Sequence, residues 1–219
     1  LIVSAQTGSG KTVAFGLALA DQLLSDLGGS PLSETPLVLV VAPTRELALQ
    51  VSRELGWLFA GASLRIATCV GGMDASKERR ALRAGPAIVV GTPGRLRDHL
   101  ERGALDLSEL AGVVLDEADE MLDMGFREEL EAIVESLPKD RRSHLMSATF
   151  PPGVKRLADG FQKDPIHIQG TALGEANEDI EHSAHLIRAS DRYGALVNSL
   201  LMSPESRCLV FVERRTEAA

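Results

Sequence analysis

Two short segments of the sequence carry residue types that could act on a phosphorylated ligand, and the first is AQTGSGKT at residues 5–12. The general phosphate-loop pattern is Gly, four residues, Gly-Lys and then Ser or Thr. Gly10, Lys11 and Thr12 match it, whereas Ala5 stands where the pattern has its first glycine. Glycines permit a tight loop whose backbone N–H groups point at phosphate oxygens, and the start of the following helix adds a partial positive charge. We therefore expect Lys11 to reach the β- and γ-phosphates of a nucleotide and the Thr12 hydroxyl to bind Mg²⁺.

The second segment is GVVLDEAD at residues 112–119, in which Asp116 and Glu117 follow an apolar, strand-like run. Ligands of open α/β sheets bind at the carboxyl ends of the strands, where this pair should lie. One carboxylate can bind Mg²⁺ while the next orients and polarises an attacking water. Alone, the pair fits a solvated helix start equally well, because acidic residues favour the first turn of a helix. A phosphate loop about a hundred residues earlier favours nucleotide hydrolysis instead.

The elements that must position these residues alternate between strand-like and helix-like segments. Short β-branched runs occur at residues 1–5, 37–42, 65–70, 87–91, 112–116, 144–148 and 165–169. Amphipathic stretches of helical period lie between most of them, at residues 11–27, 45–59, 76–83, 94–102, 126–137 and 153–161. Near-continuous apolar strands separated by helices predict an α/β protein with a parallel sheet covered on both faces.

This alternation ends after residue 169. Residues 170–179 are rich in Gly, Ala and acidic side chains, which predicts a linker. A new β-α-β start follows, with a strand-like run from residue 180, a helix near residues 191–202 and a strand at residues 208–212. Because both ends of the chain fall within elements, we expect a first domain over residues 1–169 that lacks its start, a linker, and a truncated second domain over residues 180–219.

The composition is that of an ordinary globular protein, but its charge argues weakly against a nucleic-acid partner. The net charge is −8 over 219 residues, whereas phosphate binding favours a basic surface. Cys69 and Cys208 each lie in an apolar run, so we expect both to be buried in a reducing compartment. The charged run at residues 77–80 with Arg83 is predicted to be a solvated helix face. No apolar run approaches the roughly 20 residues of a membrane-spanning helix.

The residues Asp116, Glu117, Ala118 and Asp119 spell DEAD, and at this point the sequence resembles the DEAD-box RNA helicases. The segment at residues 5–12 resembles that family's variant of the phosphate loop. Further segments resemble other family motifs in the same order: PTREL at 43–47, GG at 71–72, TPGRL at 92–96, SAT at 147–149 and LVFVERRTEA at 209–218.

This resemblance implies a RecA-like P-loop NTPase fold followed by an incomplete second domain of the same kind. It also implies an enzyme that unwinds RNA with ATP and Mg²⁺ as cofactors. Such an enzyme would be cytoplasmic and would not bind a membrane. The implied nucleotide-binding residues are Ala5, Gln6, Thr7, Gly8, Ser9, Gly10, Lys11 and Thr12. Lys11, Asp116 and Glu117 would be catalytic, with Thr12 and Asp116 holding the metal. Asp119, Ser147, Ala148 and Thr149 would couple the nucleotide site to RNA. The implied RNA path comprises Pro43, Thr44, Arg45, Gly71, Gly72, Thr92, Pro93, Gly94 and Arg95.

An acidic chain can still bind RNA through such loops. Glycines let backbone approach phosphate closely, and N–H groups at helix starts bind anions without many Lys or Arg, which predicts sequence-independent contacts. Each motif alone is better explained as a plain turn, so only the set favours RNA. The family's adenine-reading glutamine and the arginines of its second domain lie outside this chain, so we expect it to bind nucleotide but to be largely inactive by itself. Protein partners would bind through tails that are also outside it.

Two other functions remain open at this point. A related DNA helicase or translocase would share the phosphate loop, although DEAD, PTREL and SAT favour RNA. A platform that clamps RNA when ATP binds would need no turnover, although Lys11, Asp116 and Glu117 are all present.

Overall fold

The structure, a computed structural model, describes residues 1–5, 9–25, 35–62, 64–170, 181, 183–202 and 207–212. The chain divides into two compact units, Leu1–Glu175 and Ala176–Ala219. The finer division into a domain, a linker and the start of a second domain stays a prediction.

A seven-stranded sheet in the order β3-β4-β2-β5-β6-β1-β7 organises the first unit. All of its neighbouring strands run parallel. The α/β class and the parallel sheet predicted from the sequence are therefore confirmed. The strands are β1 Ile2–Ser4, β2 Val38–Val41, β3 Ile66–Cys69, β4 Ile88–Gly91, β5 Gly112–Leu115, β6 Arg142–Ser147 and β7 His167–Gln169.

Helices cover both faces of this sheet. In the first unit they are α1 Lys11–Ser25, α2 Arg45–Leu58, α3 Ala75–Arg83, α4 Pro93–Glu101, α5 Ala118–Asp123, α6 Arg127–Glu135 and α7 Pro152–Phe161, with a 3-10 turn at Ala60–Ala62. The short helix α5 was absent from the sequence prediction, because it follows the acidic segment directly without a turn signal.

The core consists of two clusters, one on each face, as the alternation of side chains along a strand requires. On β2, Leu39 and Val41 belong to the cluster that packs against α3 to α7, whereas Val38 and Val40 belong to the cluster against α1 and α2. All four β2 residues are at most 1% exposed. Burial on both faces explains why these strands are continuous apolar runs in the sequence.

The second unit is described in part. It contains a 3-10 turn at Ala189–Asp191 and helix α8 Arg192–Leu201, where the sequence predicted a helix. The strand predicted at residues 208–212 is wrong: residues 207–212 are exposed and form no strand, and neither do residues 183–188. A strand forms only against a partner that accepts its backbone hydrogen bonds. The predicted burial of the cysteines holds for Cys69 and is wrong for Cys208, which is exposed.

Within the described ranges, no helix combines the length and the apolar character that crossing a bilayer would demand.

Candidate nucleotide and RNA site

The phosphate-loop residues that the structure describes lie between the end of β1 and the start of α1. Ala5 follows β1 and is buried, and Lys11 and Thr12 form the first turn of α1 with 9% and 8% of their surface exposed. The Lys11 ammonium donates a hydrogen bond to the Ala5 carbonyl oxygen at 3.0 Å. This contact holds the cation at the mouth of the loop. Three residues of the predicted loop, Gln6, Thr7 and Gly8, lie outside the described residues.

Gly10 supplies the backbone conformation that starts α1. Its φ is +81°, a value that residues with a Cβ rarely adopt, although among the described residues a Cβ there would meet no atom within 4 Å. Conformation rather than space therefore requires a glycine at this position. Its carbonyl accepts the N–H of Ala14 at 3.1 Å and so closes the first turn of the helix.

A cavity of about 490 Å³ lies beside this loop. Ala5, Ser9 and Lys11 contribute to its wall, together with apolar side chains of β1, α1 and β6 such as Phe15 and Met146. An apolar surface thus adjoins the cationic end of the phosphate loop.

The acidic pair lies where β5 ends. The Asp116 N–H still donates to the Val41 carbonyl at 2.9 Å, so the backbone remains tied to β2 at this point. The Asp116 side chain is 2% exposed, and among the described residues its Oδ1 has no hydrogen-bond partner. Burial, with a smaller contribution from the Glu117 charge, raises the pKa of Asp116 to about 6 against the opposing effect of the Lys11 cation.

This environment fits Mg²⁺. A buried carboxylate with an unpartnered oxygen is costly unless a cation or hydrogen-bond donor satisfies it. The Asp116 carboxylate and the Thr12 hydroxyl are hard oxygen donors, which are the ligands that Mg²⁺ prefers.

Glu117 has a strained backbone. Its φ and ψ are 54° and 56°, the left-handed region, which costs a residue with a side chain roughly 1–2 kcal/mol. It directly precedes α5, and its carbonyl accepts the Met121 N–H at 3.1 Å. Such strain persists at functional sites where the surrounding structure fixes it. Here it turns the chain sharply between the end of β5 and the helix.

Hydrogen bonds join the last residue of DEAD to the SAT segment that follows β6. One oxygen of the Asp119 carboxylate accepts both the Thr149 N–H, at 2.9 Å, and the Thr149 hydroxyl, at 2.8 Å. In return, the Asp119 N–H donates to Ser147 Oγ at 3.2 Å, and that hydroxyl donates to the Thr149 carbonyl at 2.7 Å. Although burial acts to raise the pKa of Asp119, the hydrogen bonds from Thr149 hold it below its ordinary value. Ala148 lies between them, half-buried.

The three segments of the predicted RNA path follow β2, β3 and β4, whose carboxyl ends are neighbours in the sheet. Pro43 is buried, and the Thr44 hydroxyl caps α2 by accepting the Leu47 N–H at 3.2 Å. Gly71 and Gly72 are exposed beyond β3. Thr92 precedes α4, which Pro93 begins, and Gly94 is exposed in its first turn. The sheet therefore brings the three segments to one edge.

Close backbone packing fixes two of these segments against each other. The Thr92 N–H donates to the Cys69 carbonyl at 3.0 Å. A Cβ on Gly91 would lie 2.5 Å from that carbonyl oxygen and 2.7 Å from the Leu96 side chain. At the neighbouring segment, Gly72 has φ +77°, and a Cβ there would lie 3.3 Å from Arg45 Nη1. The Arg45 guanidinium therefore lies beside Gly72.

The expectation that the charged run of α3 is solvated is wrong for one residue, Glu78, which is 4% exposed. Its Oε1 accepts the Val70 N–H at 3.0 Å, and its Oε2 lies 2.7 Å from His99 Nε2 and 3.6 Å from Arg95 Nε. A signal was present in the sequence. Glu78 lies one helical turn before the buried Leu82, at the i, i+4 spacing that places two residues on the same helix face.

Comparison with known proteins identifies relatives of one kind. The family described as DEAD/DEAH box helicase matches residues 1–157. The chain is 37% identical over 211 residues to the ATP-dependent RNA helicase DbpA of Bacillus subtilis, with 96% of this chain and 43% of the relative covered. It is 42% identical over 212 residues to the ATP-dependent RNA helicase DeaD of Escherichia coli, again with 96% of this chain but 33% of the relative covered. The chain therefore spans less than half the length of these relatives.

Solved structures agree. A DEAD box protein from the hyperthermophile Methanococcus jannaschii superimposes with a TM-score of 0.70 at 37% identity, covering 91% of this chain and 52% of that one. A hypothetical ATP-dependent RNA helicase from Sulfolobus tokodaii gives a TM-score of 0.68 at 32% identity, covering 77% of this chain and 47% of that one.

Proposed function

The chain belongs to the DEAD/DEAH box helicase family, and on that premise we propose that it supplies the ATP-binding and part of the RNA-binding surface of an ATP-dependent RNA helicase. The observation that carries the proposal is the combination of Lys11 and Asp116. Both are buried charged side chains at carboxyl ends of the same parallel sheet, and Asp116 keeps an oxygen without a partner among the described residues.

The proposed chemistry is hydrolysis of the bond between the β- and γ-phosphates of ATP. Lys11 and the N–H groups at the start of α1 would hold the phosphates, and Thr12 and Asp116 would hold Mg²⁺, which neutralises phosphate charge when bound. Glu117 would orient the attacking water and take up its proton, so that ADP and inorganic phosphate leave. The left-handed backbone at Glu117 supports this role, because strained backbone of this kind persists at functional sites.

RNA would bind along the carboxyl ends of β2, β3 and β4. The glycine backbone at residues 71–72 and 94 and the exposed Arg45 suit contacts to phosphates and 2′-hydroxyls, which carry no sequence information. Such contacts need few cations, so a net charge of −8 does not oppose them.

The link between the two ligands would be the bonds between Asp119 and Thr149. Asp119 is in the same short segment as Asp116 and Glu117, so a shift of that segment on ATP binding reaches the residues after β6. This arrangement suits ATP-dependent separation of short RNA duplexes or remodelling of RNA–protein complexes.

The test is ATP turnover by the full-length protein with and without single-stranded RNA, alongside unwinding of matched RNA and DNA duplexes. We expect RNA to stimulate turnover and only duplexes containing RNA to be unwound. Equal unwinding of the DNA duplex would support the DNA helicase alternative. ATP-dependent RNA binding without turnover would support a clamp.

A further inference from the structure

A buried polar cluster joins two of the loops that the proposed function assigns to RNA. Glu78 of α3 bridges them, since Oε1 accepts the N–H of Val70, which directly precedes Gly71, and Oε2 meets His99 of α4. Val70 and His99 are fully buried and Glu78 is 4% exposed. The cluster therefore lies beneath the surface on which RNA would bind.

A second connection runs through Arg95, in the first turn of α4. Its Nε lies 3.6 Å from Glu78 Oε2, and its Nη2 donates to the Met73 carbonyl at 3.1 Å. Met73 follows the glycine pair, so the segment at residues 71–72 is held on both sides: at Val70 by Glu78 and at Met73 by Arg95. Both attachments lead to the helix that begins with residues 93–95.

The charges of the cluster favour a hydrogen-bonded bridge over a metal site. Cys69, Glu78 and His99 place potential ligand atoms within 4.8 Å of one another. However, both Glu78 oxygens already accept hydrogen bonds, and the neighbouring Arg95 guanidinium would repel a second cation. Burial and the Glu78 charge also raise the pKa of the Cys69 thiol to about 12, so the thiolate that a metal would need is disfavoured.

We propose that Glu78 is a positioning residue for RNA binding, whose carboxylate holds the 71–72 loop against the start of α4 so that both loops face one stretch of RNA backbone. This inference rests on the proposed function. Removing the carboxylate would leave the buried Val70 N–H and His99 without their shared acceptor. The 71–72 loop and the start of α4 would then no longer be held in a fixed position relative to each other. The nucleotide-binding residues lie elsewhere in the sheet, after β1 and β5.

The test compares Glu78→Ala with Glu78→Gln in the full-length protein. Glutamine keeps an oxygen for the Val70 N–H, and its amide can donate to His99 Nε2 if the ring carries its proton on Nδ1. Alanine keeps neither bond. The measurements are the Kd of a labelled single-stranded RNA in the presence of a non-hydrolysable ATP analogue, the Kd of a labelled nucleotide, and the melting temperature.

We expect Glu78→Ala to raise the RNA Kd by about tenfold or more and to leave the nucleotide Kd within about twofold of the parent value. Glu78→Gln should stay within about threefold of the parent for RNA, because it keeps the hydrogen bonds. The matched control is Glu101→Gln on α4, since Glu101 is exposed and pairs with Arg97 on the outer surface. It should change neither Kd.

Three outcomes would overturn the proposal: an unchanged RNA Kd in folded Glu78→Ala, a proportional loss of RNA and nucleotide affinity, or a Glu78→Gln variant as weak as the alanine. If the purified parent contained one zinc ion per molecule, the cluster would be a metal site and not a hydrogen-bonded bridge. Should Glu78→Ala not fold, His99→Leu breaks the α4 end of the bridge alone and must then weaken RNA binding selectively. A parent protein that binds no RNA would instead refute the proposed function, and amide exchange at Val70 in Glu78→Gln and His99→Leu would still show whether the bridge tethers the loop.

Discussion

The two ligand edges of the first unit handle buried charge in opposite ways. At the nucleotide edge, the Asp116 carboxylate is 2% exposed and has an oxygen without a partner among the described residues. At the RNA edge, the Glu78 carboxylate is just as buried, but hydrogen bonds occupy both of its oxygens. An unsatisfied buried charge indicates a site that awaits a ligand, whereas a satisfied one indicates a scaffold. A buried carboxylate is thus suited to binding a ligand at the nucleotide edge and to positioning the loops at the RNA edge.

The two edges also differ in which residues adopt the left-handed backbone conformation. At the nucleotide edge a residue with a side chain, Glu117, adopts the left-handed conformation with φ 54°. At the RNA edge that conformation belongs to a glycine, Gly72 with φ +77°, as it also does at Gly10 of the phosphate loop with φ +81°. Strain is tolerated where a side chain must be aimed at the reaction, and glycine relieves it where backbone itself is the binding surface.

The largest effect should come from Glu117→Gln, which keeps the shape of the side chain but removes the charge that accepts a proton. We expect ATP turnover by the full-length protein to fall by roughly 10²–10⁴-fold, the usual contribution of a general base, while ATP-dependent RNA binding persists. Steady-state phosphate release measures this. The control Glu120→Gln alters an exposed carboxylate of α5, the helix that follows Glu117. A loss of similar size there, or a fall of only a few-fold at Glu117, would refute the assignment of the base.

Lys11→Ala tests the cation of the nucleotide edge. Hydrogen bonds to charged groups contribute about 1.5–3 kcal/mol, so nucleotide affinity should fall roughly 10- to 100-fold. Titration calorimetry with ATP and Mg²⁺ gives the Kd, and Lys155→Ala on the exposed surface of α7 is the matched control. Unchanged affinity in Lys11→Ala would show that the phosphates bind elsewhere.

The contrast between the edges also explains what the sequence could predict. The seven strands were predicted because each is an apolar run between turn signals, and Lys11 and Asp116 were found because contiguous motifs contain them. Glu78 was missed because its role depends on partners 8 and 21 residues away in the chain, Val70 and His99. The strand predicted at residues 208–212 failed for a related reason: β-propensity describes one strand, whereas a ladder needs two.

Asp116→Asn should increase the stability of the nucleotide-free protein and weaken the binding of its ligand. Burial raises the Asp116 pKa from 3.8 to about 6, so between these values the folded protein holds a proton that the unfolded chain has released. Stability is therefore lost as the pH rises through this window, and the penalty at pH 7 is at most about 3 kcal/mol. Asparagine removes the penalty.

The measurement is denaturant unfolding of the nucleotide-free protein at several pH values. Asp116→Asn should be more stable than the parent at pH 7. It should be no more stable than the parent below about pH 4, where the Asp116 carboxyl of the parent becomes protonated in the folded and the unfolded protein alike. Asp123→Asn, at the exposed end of α5, should show no such gain. A destabilised Asp116→Asn at pH 7 would mean that the carboxylate is stabilised in the free protein, and the contrast with Glu78 would fail.

Gly91→Ala tests the close packing of the RNA edge. The added Cβ would lie 2.5 Å from the Cys69 carbonyl oxygen, which cannot turn away because it accepts the Thr92 N–H. Leu96 can change its side-chain conformation, but β3 and β4 must separate, so we expect a loss of about 1–3 kcal/mol in the free energy of unfolding.

Gly160→Ala is the matched control. It lies in α7, where no atom of the described residues comes within 4 Å of a new Cβ, and it should gain about 0.5–1 kcal/mol from helix propensity. Because the strain falls between the 71–72 and 92–95 loops, RNA affinity should drop in Gly91→Ala while nucleotide affinity stays constant. If both affinities fell together, strain at one edge would reach the other through the sheet, and the two edges would not be independent parts of the molecule.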